Sequence, residues 1–401
     1  MSLLITNIAE LMTQDGEHRV LKDAAVVVEG ERIAWIGQAA DAPATDEVYD
    51  AEGRALLPGW VDSHTHLVFA GDRTAEFEAR MAGESYSAGG IGVTMNATRA
   101  ASDEELLELA RARRAEALRG GTTYLEAKTG YGLSTEHEEA LARVTAQVAD
   151  EVTFLGAHLV PKGAEPDAYV EEVVGPMLTA VAPHARWADV FCERGAFDEA
   201  QSRRVLEACA AAGLGLRVHG NQLGLGAGVR LAVELGAASV DHVNYLEDSD
   251  VAALADSWAA YDGGRGPRGT VATCLPACDL STREPLAPGR RLLDAGVQVA
   301  IASNLNPGTS YTSAMNYCVT TAVLQMGLSV HEAVRAATFG GALALRREVG
   351  EDVDGRRAVG SIAVGHRADL HLLNAPSATH LAYRPGMPLT HAVWQAGVRV
   401  V

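Results

Sequence analysis

Pro58-Gly59-Trp60-Val61-Asp62-Ser63-His64-Thr65-His66 is the stretch on which the reading of the chain turns. Pro58-Gly59 breaks the preceding segment, and the apolar residues through Val61 read as a buried strand. Residues two apart on a strand share a face, so His64 and His66 point the same way at its end. Two neutral imidazoles side by side suit zinc, iron or a related metal. The plainer reading is a pair of structural histidines with satisfied hydrogen bonds. The surrounding sequence has to separate the two.

Upstream of Pro58 the chain is strand-rich. Residues 24–28 are β-prone, Glu29-Gly30-Glu31 turns the chain, and 32–37 read as the second strand of a hairpin. A further short strand is expected at 54–57. Downstream, helices alternate with short apolar strands. A helix is expected at 104–118, then Gly120-Gly121 and the strand opening Thr122-Thr123-Tyr124-Leu125-Glu126. Ser134 is placed to cap the next helix. Strands follow at 152–155, 189–192, 215–218, 239–242, 270–275 and 298–303. Helices are expected at 203–212, 228–235 and after Thr312. This order predicts an α/β barrel or an open parallel sheet. No GxGxxG follows an early strand, so a dinucleotide fold has little support. The tail returns to β character at 362–365, 368–373 and 392–400. Both ends are therefore expected to build one small β domain.

Composition narrows the class. A chain of 401 residues exceeds what one hydrophobic core usually organises. The net charge of -19 opposes binding to a phosphate backbone, so nucleic acid is excluded as a partner. No apolar run approaches a membrane span, and the start lacks secretory signal character. A cytoplasmic protein is expected. The five cysteines, Cys192, Cys209, Cys274, Cys278 and Cys318, form no paired framework and read as reduced core thiols.

The histidines recur at strand ends. His158 follows Phe154-Leu155-Gly156-Ala157, His219 follows Leu216-Arg217-Val218, and His242 follows Ser239-Val240-Asp241. Thr273, Ser303 and Asn304 sit near later strand ends. Strand ends at one barrel face converge whatever their spacing in sequence. Four histidines placed this way favour a site over incidental core positions.

The ordered motifs are more specific than any one of them. They include the stretch at 58–66, Ala70-Gly71-Asp72-Arg73, Lys128-Thr129-Gly130-Tyr131-Gly132-Leu133, His219-Gly220-Asn221-Gln222-Leu223, Asp241-His242-Val243-Asn244 and Asn304-Leu305-Asn306-Pro307-Gly308. Together they resemble the imidazolonepropionase family of the amidohydrolase superfamily over nearly the whole chain. The resemblance implies a distorted (β/α)8 barrel with a small composite β-sandwich domain. The barrel spans roughly 59–354, with 1–58 and 355–401 supplying the β domain. It implies one divalent metal, zinc or iron, held by His64, His66, His219 and Asn304. His242, Asn304 and Gln222 take the catalytic positions. Arg73, Tyr86, Tyr131, His158 and Asn306 shape the pocket for a small anionic imidazolone, and a homodimer is a family expectation. The implied reaction opens the ring of 4-imidazolone-5-propanoate to N-formimino-L-glutamate in histidine degradation.

The chain departs from the family pattern at several positions. Asn304 stands where the family carries an aspartate. Asn221 and Gln222 fill positions that commonly hold a carboxylate, and Asn244 replaces an acidic or apolar residue. An amide offers an oxygen to a metal but neither the charge nor the basicity of a carboxylate. Two other readings follow. One is a different cyclic amidohydrolase or aminohydrolase acting on a carboxylate-bearing heterocycle. The other is a catalytically weakened, metabolite-binding homologue.

Overall fold

Strands buried on both faces need long apolar runs, and the central sheet supplies them. Thr122–Lys128, Glu151–Ala157 and Trp187–Cys192 are buried at every position. The computed structural model describes residues 1–83, 90–261, 266–350 and 355–401, so Tyr86 lies outside the described residues.

The eight strands of this sheet follow one another in chain order. They are Trp60–Asp62, the three just named, Gly215–Gly220, Ser239–His242, Val271–Cys274 and Val299–Ile301. Helices such as Asp103–Arg119, Thr135–Thr145, Glu199–Ala211 and Gly228–Glu234 separate them. The ends of the sheet meet beyond the last strand. The Asn304 N–H donates to the His64 carbonyl at 3.0 Å, and the His66 N–H donates to the Asn304 carbonyl at 3.1 Å. Thr65 and Asn304 thereby form a parallel bridge. The result is a distorted (β/α)8 barrel, and its seam holds the backbone of three expected metal-site residues.

A separate mixed sheet runs in the order Val398–Arg399, Thr390–Gln395, Leu370–Leu373, Glu47–Pro58, Ser2–Met12, Ala24–Glu29, Arg32–Gln38, with Val20–Leu21 beside Ser2–Met12. Strands from both termini share it. Ile5, Ile8, Val26, Leu56, Leu370 and Trp394 belong to its buried core. Residues 362–365 form no strand, against expectation. Gly360 and Gly365 take φ of 78° and 89°, and His366 closes a turn onto the Ala363 carbonyl. These conformations curl the backbone out of a ladder.

The chain divides into two compact units. One comprises Met1–Ser63, Glu116–Tyr124 and Ala314–Val401, and the other His64–Ala115 and Leu125–Ser313. Every described candidate site residue lies in the second. No described helix is long and apolar enough to cross a membrane.

Candidate metal centre and substrate pocket

Parallel register brings the strand-end histidines to one level. His219 lies opposite Asp241, and Gly220 opposite His242, on adjacent strands. The His64 ring centroid lies 4.5 Å from His219 and 5.6 Å from His242, and His219 and His242 are 5.3 Å apart. One ring nitrogen from each of these three comes within 4.8 Å of the other two. His66 lies alongside. Its ring stacks on His158 at 5.3 Å and stands 5.6 Å from His219. Among the described residues, its nitrogens do not join the 4.8 Å group.

Buried carboxylates orient two of the rings. His64 Nδ1 lies 2.7 Å from Asp241 Oδ2 in a hydrogen bond. His219 Nδ1 lies 3.0 Å from Asp189 Oδ2, at an angle outside a hydrogen bond. A carboxylate at Nδ1 keeps the proton there and turns the Nε2 lone pair the other way. The Nε2 atoms of His64 and His219 are buried with no partner, as is Nδ1 of His66 and of His242. Burial, reinforced by Lys128 and His219, pushes the proton affinity of His64 well below the usual histidine range. Burial does the same for His66 and His242. Buried rings with unused lone pairs, three of them clustered, fit a divalent cation.

Asn304 adds an oxygen donor. Its Nδ2 donates to Thr309 Oγ1 at 2.8 Å, while Oδ1 is buried without a partner. Its φ of 72° is a left-handed conformation that Asn and Asp tolerate better than most residues.

Charge is concentrated below this layer. Lys128 Nζ reaches Glu126 Oε1 at 2.8 Å, Asp189 Oδ2 at 2.9 Å and Asp241 Oδ2 at 3.9 Å, and all four side chains are fully buried. Arg217 reaches Asp241 Oδ2 at 3.1 Å. Glu126 also accepts from the Thr65 backbone N–H and from the Thr153 hydroxyl. Burial by itself raises carboxylate pKa values. The His219 ring and Lys128 beside Asp189, and Arg217 and His64 beside Asp241, outweigh it and hold both well below the usual range. Lys128 is an ion-pair partner of buried carboxylates on its own and neighbouring strands.

Next to the histidines, Arg73, Ile91, Tyr131, His158, Leu159, Phe191 and Asn306 line one pocket. Four of the expected substrate residues therefore line one space. The Tyr131 loop is held by Glu138, whose carboxylate accepts from the N–H groups of Gly130, Gly132 and Leu133. Gly130 takes φ of 102°, and a Cβ there would sit 3.0 Å from His158 Nδ1. His158 Nδ1 donates to the Gly130 carbonyl at 2.9 Å, leaving Nε2 as an acceptor. Burial and the nearby His219 push His158 down to about 4, so it stays neutral. Arg73 is already paired, gripping the Glu76 carboxylate through Nε at 2.9 Å and Nη2 at 2.7 Å. Its guanidinium lies flat against Gly308, where a Cβ would fall 2.2 Å from Nη1.

The amide substitutions have different fates. Asn221 is committed to the backbone, its Nδ2 donating to the Tyr245 carbonyl at 2.8 Å. Asn244 donates to the Pro285 carbonyl at 2.6 Å. Gln222 points Nε2 toward Cys278 Sγ at 3.9 Å. The reading of the sequence did not single out Asp189, Glu126, Arg217, Cys278 or Asp279. A charged residue inside an otherwise apolar strand, as at Lys128 and Arg217, was the available signal.

Imidazoles gathered where parallel strands end, beside a pocket lined by polar residues, define a metal-dependent hydrolase acting on carbon–nitrogen bonds. Comparison with known proteins agrees. The model described as Amidohydrolase family matches residues 55–393. The chain is 76% identical over 399 residues to an imidazolonepropionase of Arthrobacter sp. (strain FB24), covering 100% of both chains. It is 67% identical to one from Micrococcus luteus, again over 100% of both, and 55% identical to one from Streptomyces coelicolor over 100% of this chain and 99% of that one. The chain thus belongs to the imidazolonepropionase family of amidohydrolases. Solved structures show the same fold at low identity. Atrazine chlorohydrolase from Arthrobacter aurescens TC1, complexed with zinc, aligns with TM-score 0.70 at 18% identity over 100% of this chain and 95% of that one. An adenosine deaminase from Xanthomonas campestris with bound zinc gives 0.72 at 20%, over 99% and 92%.

Proposed function

We propose that the chain hydrolyses 4-imidazolone-5-propanoate to N-formimino-L-glutamate in histidine degradation. The observation that carries this is the single cavity shared by Arg73, Tyr131, His158 and Asn306, next to the histidine cluster. The substrate has a ring carbonyl to be attacked and a carboxylate tail to be held. The relatives of the same name at full-length coverage support the assignment.

His64 and His219 would hold the metal, with His66 and the Asn304 oxygen completing the set. Zinc or iron(II) suits these donors. When bound, the ion polarises the carbonyl and acidifies water. His242, buried and neutral, faces the same point and accepts the proton of the attacking water. Returning that proton to the leaving ring nitrogen completes the opening. Gln222 lies on the His242 side and donates hydrogen bonds without moving protons. His158 offers Nε2 as an acceptor to a ring N–H, and Asn306 and Tyr131 border the ring. Arg73 receives the propionate. The five cysteines are all buried thiols, which supports the assignment to the cytoplasm.

Arg73 tests the orientation. Because Glu76 occupies its fork, the propionate must share or displace an existing carboxylate. Arg73→Ala is expected to raise KM by about tenfold to a few hundredfold, from the loss of about 1–3 kcal/mol of charge-assisted contact. Arg73→Lys restores only part, because a point charge cannot replace a planar fork. An unchanged KM in the alanine variant refutes this orientation.

Asp241 tests the metal assignment. Asp241→Asn removes the carboxylate that fixes the His64 tautomer. Metal affinity is expected to fall by about 10–100-fold, the usual cost of losing an outer partner of a metal-bound histidine. Competition with a chelator of known affinity measures it. Equal affinity in both forms means His64 is not a ligand.

A further inference from the structure

His242 also belongs to another group of metal-ligand side chains. Cys278 and Asp279 sit in the helix Pro276–Thr282, which follows the strand Val271–Cys274. One ligand atom each from His242, Cys278 and Asp279 comes within 4.8 Å of the other two, and all three residues are buried. The three types together, imidazole, thiol and carboxylate, are those that zinc takes. A tetrahedral zinc at ordinary bond lengths places its ligand atoms about 3.3–3.8 Å apart, so closure asks roughly an ångström of side-chain movement.

Two unsatisfied atoms point to a ligand independently of that spacing. Asp279 is 1% exposed, and its Oδ1 has no hydrogen-bond partner, although Oδ2 accepts from the Ala287 N–H at 3.2 Å. His242 Nδ1 is also buried without a partner. Leaving such groups unpaired is costly, and a cation held by this cluster would relieve that cost.

We propose that His242, Cys278 and Asp279 form a second, inhibitory zinc site. The Cys278 thiol gives up its proton as the cation binds. Occupation takes the imidazole needed to receive the proton of the attacking water. That consequence rests on the role of His242 proposed above, whereas binding at the site does not.

The test begins with protein carrying one equivalent of zinc and titrates it with cobalt(II). The first site contains no cysteine, so thiolate-to-cobalt charge-transfer absorption reports the second alone. The expected result is a saturating band near one added equivalent, absent in Cys278→Ser. Asp279→Asn, which retains the thiol, should weaken that step by more than about tenfold, at least the loss seen when an outer partner is removed. Turnover should fall as the band grows, while Cys278→Ser keeps the rate it shows at one equivalent. No band, or one that survives in Cys278→Ser, overturns the site. A band that appears with undiminished turnover keeps the site and overturns both its inhibitory effect and the proton role of His242.

Discussion

Asn304→Asp raises turnover by ~10²–10⁴ at matched metal occupancy, the usual worth of a positioned acid–base group. The backbone is ready for the change. Asn304 sits at φ 72°, which aspartate also accepts, and its N–H and carbonyl are fixed to His64 and His66 across the barrel seam. Thr309 Oγ1, which now accepts from the amide at 2.8 Å, can turn and donate to a carboxylate. The oxygen that has no partner would then carry negative charge beside the attacking water. His242 is a weak substitute, since burial drives its proton affinity well below the ordinary range. Steady-state rates of both forms across pH, with metal content measured on the same samples, decide the point. Equal rates from a fast wild type would mean that His242 suffices and that the amide is no defect. Strong ligand binding without turnover until the carboxylate is restored would favour the metabolite-binding reading.

Lys128→Met should destabilise the protein by about 3–5 kcal/mol. This is the cost of removing one partner from a buried ion pair and leaving the other charged. Glu126 and Asp189 lose contacts of 2.8 and 2.9 Å at side chains that are fully buried. Both carboxylates support metal-site geometry, Glu126 through the Thr65 N–H and Asp189 beside His219. Metal retention should fall together with stability. Combining Lys128→Met with Glu126→Gln should recover part of the loss, because the two changes share one interaction. Denaturant midpoints of the four metal-loaded proteins measure the coupling. Strict additivity would show that Lys128 and Glu126 do not depend on each other.

What could be read in the sequence depended on how local each signal is. The barrel strands were visible because each is a short apolar run ending in a polar residue, and a histidine at the end marks the mouth. Ser2–Met12 was not visible as a strand. Its pairing shifts register between Ile5 and Ile8 and again between Ile8 and Glu10, and Asn7 takes φ of 55°. Those bulges break the period of two that betrays a strand. The cavity residues came from motif order, because Arg73 and Asn306 are brought together only by barrel closure. Lys128 is a charge in a buried strand, a local signal, but two of its partners lie across neighbouring strands at Asp189 and Asp241. The approach of Cys278 to His242 spans a helix and a strand, and nothing in the local pattern marks it. Asn221 looked like a lost catalytic carboxylate until its side chain was seen bonded to the Tyr245 carbonyl.

The most direct test of the account is hydrolysis of 4-imidazolone-5-propanoate by the protein stripped of metal and then reloaded. The account predicts that turnover disappears on stripping and returns in proportion to bound zinc or iron(II), saturating at one equivalent, with N-formimino-L-glutamate as product. Undiminished turnover by the stripped protein, or no ring opening by the fully reloaded one, would contradict it.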